Sequence, residues 1–170
     1  FNIPEIDMQL FRRLVVPCVG IGVFLGTLAT AFADQAKVSL DQVPKAVIEA
    51  VKARFPKGEL TGAEKETAES DTKDKKITYE VKLIDKKRKF EVIATPDGKV
   101  LAVEKVLEAS ELPKVITALL DSDYPKAKIK KAEEVTRDEK ITYEVVLVTA
   151  DMQTVKLMFD PRGKLVEPKK

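Results

Sequence analysis

The 170-residue sequence predicts an α+β protein made of two tandem α-β-β-β-β repeats, each a helix packed on one face of an antiparallel sheet. Three observations carry that prediction. The string Lys76-Ile77-Thr78-Tyr79-Glu80-Val81 recurs as Lys140-Ile141-Thr142-Tyr143-Glu144-Val145, and matching segments flank both copies. Before each copy, apolar residues return at helical spacing. Within and after each copy, they alternate with polar residues at a period of two, as in a half-buried strand.

The N-terminus reads as an export signal. Residues 1–7 hold Glu5 and Asp7 without an initiating Met and read as an over-extended gene start, with Met8 as the true start. Arg12-Arg13 then precede Leu14 to Ala33, twenty residues without a charge. The run closes on Ala31-Phe32-Ala33 before Asp34. A basic start, an apolar middle and a small-x-small end are the parts of a secretory signal peptide. Residues 8–33 are therefore expected to be removed after Ala33, with Ala31 and Ala33 as the small residues read by the peptidase. An uncleaved anchor is the competing reading, because about 20 apolar residues span a bilayer. Pro17, Gly20, Gly22 and Gly26 make that run a poor helix. The expected location is periplasmic or secreted, with no stable membrane anchor after cleavage.

The first repeat is assigned to residues 34–108 and the second to 109–170. Asp41-Gln42-Val43-Pro44-Lys45 matches Ser110-Glu111-Leu112-Pro113-Lys114 at an offset of 69. Asp41 and Ser110 are good N-cap types. Pro44 and Pro113 are placed in the first helical turn, where a missing N–H costs little. Leu112, Val115, Ile116, Leu119 and Leu120 form one apolar stripe, and Val43, Ala46, Val47, Ala50 and Val51 occupy the equivalent positions. Phe55-Pro56 and Tyr124-Pro125 end the helices. Short strands are expected at Leu60 and Ile129. The Lys65 to Lys76 stretch reads as a solvated, mobile hairpin loop. Ile77, Tyr79, Val81 and Leu83 predict the next strand's helix-facing side, and Ile141, Tyr143, Val145 and Leu147 repeat it. Phe90, Val92 and Ala94, and likewise Val155, Leu157 and Phe159, mark another strand. Asp97-Gly98 and Arg162-Gly163 are turns in which Gly supplies a positive φ. A last strand is expected over Lys99 to Val106, and over Lys164 to Pro168 in the second copy.

Composition narrows the chemistry. There is no His, no Trp and one Cys, Cys18, inside the apolar N-terminal run. A Ser-His-Asp triad, a Cys-His pair and His-ligated zinc are excluded. Glu64, Glu66, Glu69, Asp71 and Asp74 lack EF-hand spacing and read as a charged loop. No catalytic residue, cofactor or metal site is assigned, and the reading is that the protein is not an enzyme. The net charge of +2 gives no general pull toward nucleic acid.

The early Pro, the Phe-Pro or Tyr-Pro helix end, the Tyr-Glu-Val strand and the Asp-Gly-Lys-Val hairpin together resemble the PepSY-like family, related to PepSY domains and the β-lactamase-inhibitor-protein fold. The resemblance runs from Val38 to Val106 and from Ala109 to Lys170. It implies exported modules with non-catalytic roles, binding a protein or inhibiting a peptidase. No contact residue of the lactamase inhibitor is matched here.

Candidate partner surfaces follow from what the helices leave open. In the second copy, Val146, Val148 and Met158 point away from the helix, where a one-sided sheet should be polar. Lys86, Lys87 and Arg88 form a basic hairpin tip, and Met152 sits on the equivalent tip. A protein partner on the open sheet face is the leading expectation, with a homodimer as another occupant of the same patch. The alternative is a small-ligand carrier or envelope sensor with a cleft between the repeats.

Overall fold

Eight strands hydrogen-bond in the order in which they occur along the chain, forming one antiparallel sheet, β1 to β8. This computed structural model describes residues 34–69 and 75–166. The elements are β1 Asp34–Val38, α1 Lys45–Arg54, β2 Glu59–Glu69, β3 Lys75–Asp85, β4 Arg88–Ala94, β5 Val100–Val106, α2 Lys114–Asp123, β6 Lys128–Arg137, β7 Lys140–Val148 and β8 Thr154–Phe159. Short turns make this meander natural, because antiparallel neighbours need only a tight connection. The two halves meet through β5 and β6, with Val103 opposite Thr136 and Val106 opposite Glu133. No helix among the described residues is long and apolar enough to cross a membrane.

Both helices are ten residues long, and Pro44 and Pro113 are their N-caps rather than first-turn residues. Asp41 and Ser110 do not cap them. They lie in single 3-10 turns, Leu40–Gln42 and Ala109–Glu111, that precede the prolines. The Ser39 N–H donates to Gln42 Oε1 at 3.2 Å and the Glu108 N–H to Glu111 Oε2 at 2.9 Å, satisfying donors that the turns leave free. Phe55 and Tyr124 close the helices, their N–H groups donating to Val51 and Leu120 carbonyls.

The predicted stripes build the core. Val47 and Val51 of α1, with Val43 just before it, pack on Val81, Leu83, Val92 and Ala94. Leu112, Ile116 and Leu120 pack on Ala132, Val145, Leu147 and Phe159. Phe55 and Phe90 stack at a tilt, with ring centroids 4.8 Å apart. The register across β5–β6 puts Val103 and Ala132 on one side, so both helices cover the same face of the sheet.

Three expectations are corrected. The polar stretch after Glu64 is mostly strand: β2 runs to Glu69 and β3 starts at Lys75, pairing Lys65 with Tyr79 and Thr67 with Ile77. Backbone pairing to a long partner strand overrides the poor β propensity of its Lys and Glu residues. β1, which was not anticipated, pairs with the outer edge of β2. Of the last strand expected in the second copy, the described residues show one bridge, Phe159 opposite Leu165; residues 167–168 lie outside them. The two halves share their irregularities: β2 carries a bulge between Leu60 and Gly62, and β6 one between Ile129 and Lys131.

The turns follow their residues. Gly98 and Gly163 have φ of 86° and 85°. A Cβ on Gly98 would lie 2.6 Å from the Ala46 carbonyl oxygen, so this turn also needs Gly for its approach to α1. The turn Thr149 to Gln153 has the same hydrogen bonding as Thr95 to Lys99, with Met152 at φ 64° where the other has Gly98. A left-handed non-glycine residue costs about 1 kcal/mol. Met152→Gly is expected to raise stability by about 0.5–1 kcal/mol in urea unfolding.

Candidate functional site

With both helices on one face, no helix among the described residues covers the other face of the sheet. Alternation assigns to it Thr78, Glu80, Lys82 and Ile84 of β3, Glu91 and Ile93 of β4, and Ala102 and Glu104 of β5. From the second half come Glu133 and Val135 of β6, Thr142, Glu144, Val146 and Val148 of β7, and Lys156 and Met158 of β8. Several of these are buried although no helix lies over them: Thr78, Ala102, Glu133 and Val135. Long side chains on the same face, such as Lys131 and Glu144 beside Glu133, cover such positions.

Charge runs across the middle of this face. Register puts Lys82 opposite Glu91, Glu91 opposite Glu104, Val106 opposite Glu133 and Glu133 opposite Glu144. Lys82 Nζ lies 2.7 Å from Glu64 Oε1 and 3.3 Å from Glu80 Oε1. Lys156 Nζ lies 2.8 Å from Glu144 Oε1. Lys131 Nζ lies 2.7 Å from Glu133 Oε1 and 3.5 Å from Glu91 Oε2. That 2.7 Å ion pair is what Glu133 Oε1 has, and Glu133 Oε2 has no partner among the described residues. One carboxylate oxygen each from Glu91, Glu104 and Glu133 lies within 4.8 Å of the others.

This crowding shifts the ionisation of the cluster. Burial, then Glu133, Glu144 and Glu91, push Glu104 up to about 7, only partly offset by Lys131. Burial raises Glu133 and Glu80 as well. Burial alone would lower Lys131, but Glu133, Glu91 and Glu104 hold its ammonium above the ordinary lysine value. Carboxylates this close can share protons or hold a cation. General acid–base work on a substrate also needs access, and Glu133 is only 1% exposed.

The structure puts the candidate surface residues in two groups. Val146, Val148 and Met158 share the helix-free face, half-buried; Val146 lies opposite Lys156, and Met158 opposite Glu144. Lys86 and Lys87 form an exposed two-residue turn with φ of 49° and 66°. Met152, 81% exposed, caps the β7–β8 turn. β3 and β7 run in the same direction, so both turns lie at one end of the sheet. Arg88 is not a free cation at the tip. Its guanidinium grips the Glu111 carboxylate at 2.6 and 3.0 Å, tying β4 to the turn before α2. Ala31 and Ala33 lie outside the described residues.

The Arg88 hydrogen bond, with the Glu108 N–H, holds the exposed Glu111 carboxyl down at about 2. Arg88→Ala is expected to move Glu111 up toward the ordinary glutamate value in an NMR titration. An unchanged titration would contradict the pairing. Glu91, Glu104 and Glu133 were not anticipated as a group. Alternation in β4 and β5 points the first two outward, but only the β5–β6 pairing brings Glu133 beside them. A pocket of about 290 Å³ lies beside α2, lined by Thr117, Leu120, Asp121, Tyr124, Ile129 and Leu147 among others.

A family model described as "Putative beta-lactamase-inhibitor-like, PepSY-like" matches residues 31–102 and 77–167. The chain belongs to this PepSY-like family. Solved structures share the fold of this PepSY-like chain. A putative periplasmic protein from Bacteroides eggerthii matches with a TM-score of 0.59 at 15% identity, over 74% of this chain and 86% of its own. A DUF2874 family protein from Bacteroides uniformis matches with a TM-score of 0.59 at 13% identity, over 73% and 86%. A BLIP-like protein from Bacteroides fragilis matches with a TM-score of 0.55 at 21% identity, over 74% and 85%. No curated protein sequence matches the chain.

Proposed function

We propose that this PepSY-like protein is a non-catalytic binding module of the cell envelope that holds a protein partner on its helix-free sheet face. The observation that carries the reading is the placement of both helices on one side of a continuous eight-stranded sheet. The face left open mixes half-buried apolar residues, Val146, Val148 and Met158, with fixed charges. Such a surface suits a protein interface, with an apolar centre and ionic groups that set register. The Lys86-Lys87 turn and Met152 extend it at one end, where an exposed Met on a costly backbone has no role in the core. A peptidase is the partner class that the family resemblance implies. The alternative, a small-ligand carrier or envelope sensor with a cleft between the halves, is the second reading, because β5 and β6 are joined by backbone pairing where the halves meet.

Export and duplication belong to the same reading. Cleavage after Ala33 would leave β1 intact from Asp34, and periplasmic location fits the descriptions of the structural neighbours. Equivalent bulges and proline caps in residues 34–108 and 109–170 support a tandem duplication.

Capture from an envelope fraction tests the proposal. Wild type and Glu49→Lys, changed on the exposed surface of α1, are expected to retain the same protein. Val146→Lys and Met158→Lys are expected to lose it. Retention by all four would overturn the assignment of the face. A concentration-dependent change in sedimentation that Val146→Lys abolishes would instead identify the occupant as a second copy of the chain.

A further inference from the structure

Glu133 is the group that the fold leaves unexplained. It is 1% exposed, its Oε1 meets only the Lys131 ammonium, its Oε2 has no partner among the described residues, and it faces two more carboxylates. A buried ionisable group so sparsely partnered is costly and rare. The cluster as built has three carboxylates, Glu91, Glu104 and Glu133, to one ammonium, Lys131. Among the described residues Glu104 has no ion pair, while the neighbouring lysines Lys82 and Lys156 are engaged by Glu64, Glu80 and Glu144.

We propose that Glu91, Glu104 and Glu133 form a calcium site in the middle of the helix-free face, with the Lys131 ammonium as its displaceable occupant. The charge fits: with the Lys131 ammonium turned out to solvent, three carboxylates face the ion, and one divalent cation neutralises two of their three charges. The donor chemistry fits, because an all-oxygen set selects a hard cation. The spacing admits one ion: the Glu91, Glu104 and Glu133 oxygens lie within 4.8 Å of one another, inside the roughly 4.6–5.2 Å across a Ca²⁺ shell. The flexible coordination of Ca²⁺ suits carboxylates held on a sheet better than the near-ideal octahedron that Mg²⁺ demands. The Lys131 side chain is 41% exposed, so its flexible stem can carry the ammonium out to solvent as the ion enters. The inference stands apart from the partner proposal, since calcium can bind whether or not a protein docks.

Isothermal titration calorimetry of the EDTA-stripped protein with CaCl₂ tests it, with thermal unfolding alongside. One Ca²⁺ per chain is expected, with Kd of about 10⁻⁴–10⁻³ M, as in extracellular calcium modules, and a Tm that rises with calcium. Glu133→Gln and Glu104→Gln should weaken binding roughly tenfold or more. Lys131→Met, which removes the competing ammonium, should tighten it. Glu64→Gln, on the same face but paired with Lys82, should not change it. If Glu133→Gln fails to fold, the half-buried Glu91→Gln takes its place. The proposal is overturned if wild type and Lys131→Met show neither heat nor a Tm rise at about 10 mM CaCl₂, well above the weakest such sites. Binding that survives Glu133→Gln, or Mg²⁺ binding as tight as Ca²⁺, would also overturn it.

Discussion

In the presence of a chelator, taking the protein from about pH 5 to about pH 8 will destabilise it by about 2–3 kcal/mol, and Glu104→Gln will remove most of that loss. The folded chain holds the Glu104 proton up to about pH 7, whereas the unfolded chain releases it near the ordinary glutamate value of 4.5. Between those values the folded state carries more bound protons, so stability falls as pH rises. Above pH 7 both states are ionised and the loss is complete. The groups responsible face Glu104 from both sides: Glu91 from β4, Glu133 from β6 and Glu144 from β7, with Lys131 opposing them. Glu80 and Glu133, raised by burial, act in the same direction. Gln keeps the shape of a protonated Glu without the charge, so Glu104→Gln should be near neutral at pH 5 and stabilising at pH 8. Urea unfolding at the two pH values reads both. A wild type equally stable at both would contradict the assignment of Glu104 to a crowded, partly desolvated cluster.

Leu147→Ala will cost about 3–4 kcal/mol and will unfold both halves together. Leu147 is 1% exposed and sits between β7 and the Ile116 and Leu120 ridge of α2. Removing its isobutyl group forfeits the transfer energy and leaves a void that the sheet cannot close. Leu83, at the equivalent position in the first half and also 1% exposed, predicts a similar loss. The two halves are joined by β5–β6 pairing, by Arg88 on Glu111, by Lys105 on Glu134 and by Lys131 on Glu91. Either truncation should therefore shift one cooperative transition, seen alike by circular dichroism and by tyrosine fluorescence. Two separated transitions in Leu147→Ala would show that the halves fold independently.

The parts of this fold governed by local periodicity were legible in the sequence. Val43, Val47 and Val51, and Leu112, Ile116 and Leu120, face the core as their spacing predicts. Tyr79, Val81 and Leu83 do so by alternation. Gly98 and Gly163 adopt the positive φ that their turns require. The parts governed by pairing between distant segments were not. β1 has no alternation to announce it, and β2 stays a strand through Lys65 and Glu66 because β3 supplies hydrogen bonds along its whole length. The carboxylate cluster depends on a register between halves that no local pattern encodes. The basic tip failed differently: Arg88 looked like one more solvated cation, but Glu111 lies within its reach.

The central claim is that the helix-free face is the working surface. Carboxyl-group footprinting by mass spectrometry, with and without the captured partner, tests it residue by residue. Glu64, Glu80 and Glu144 on that face should lose reactivity when the partner is bound, while Glu49 on α1 and Asp121 on α2 should label as before. Protection confined to Glu49 and Asp121, with the sheet carboxylates unchanged, would place the partner on the helices and contradict the account.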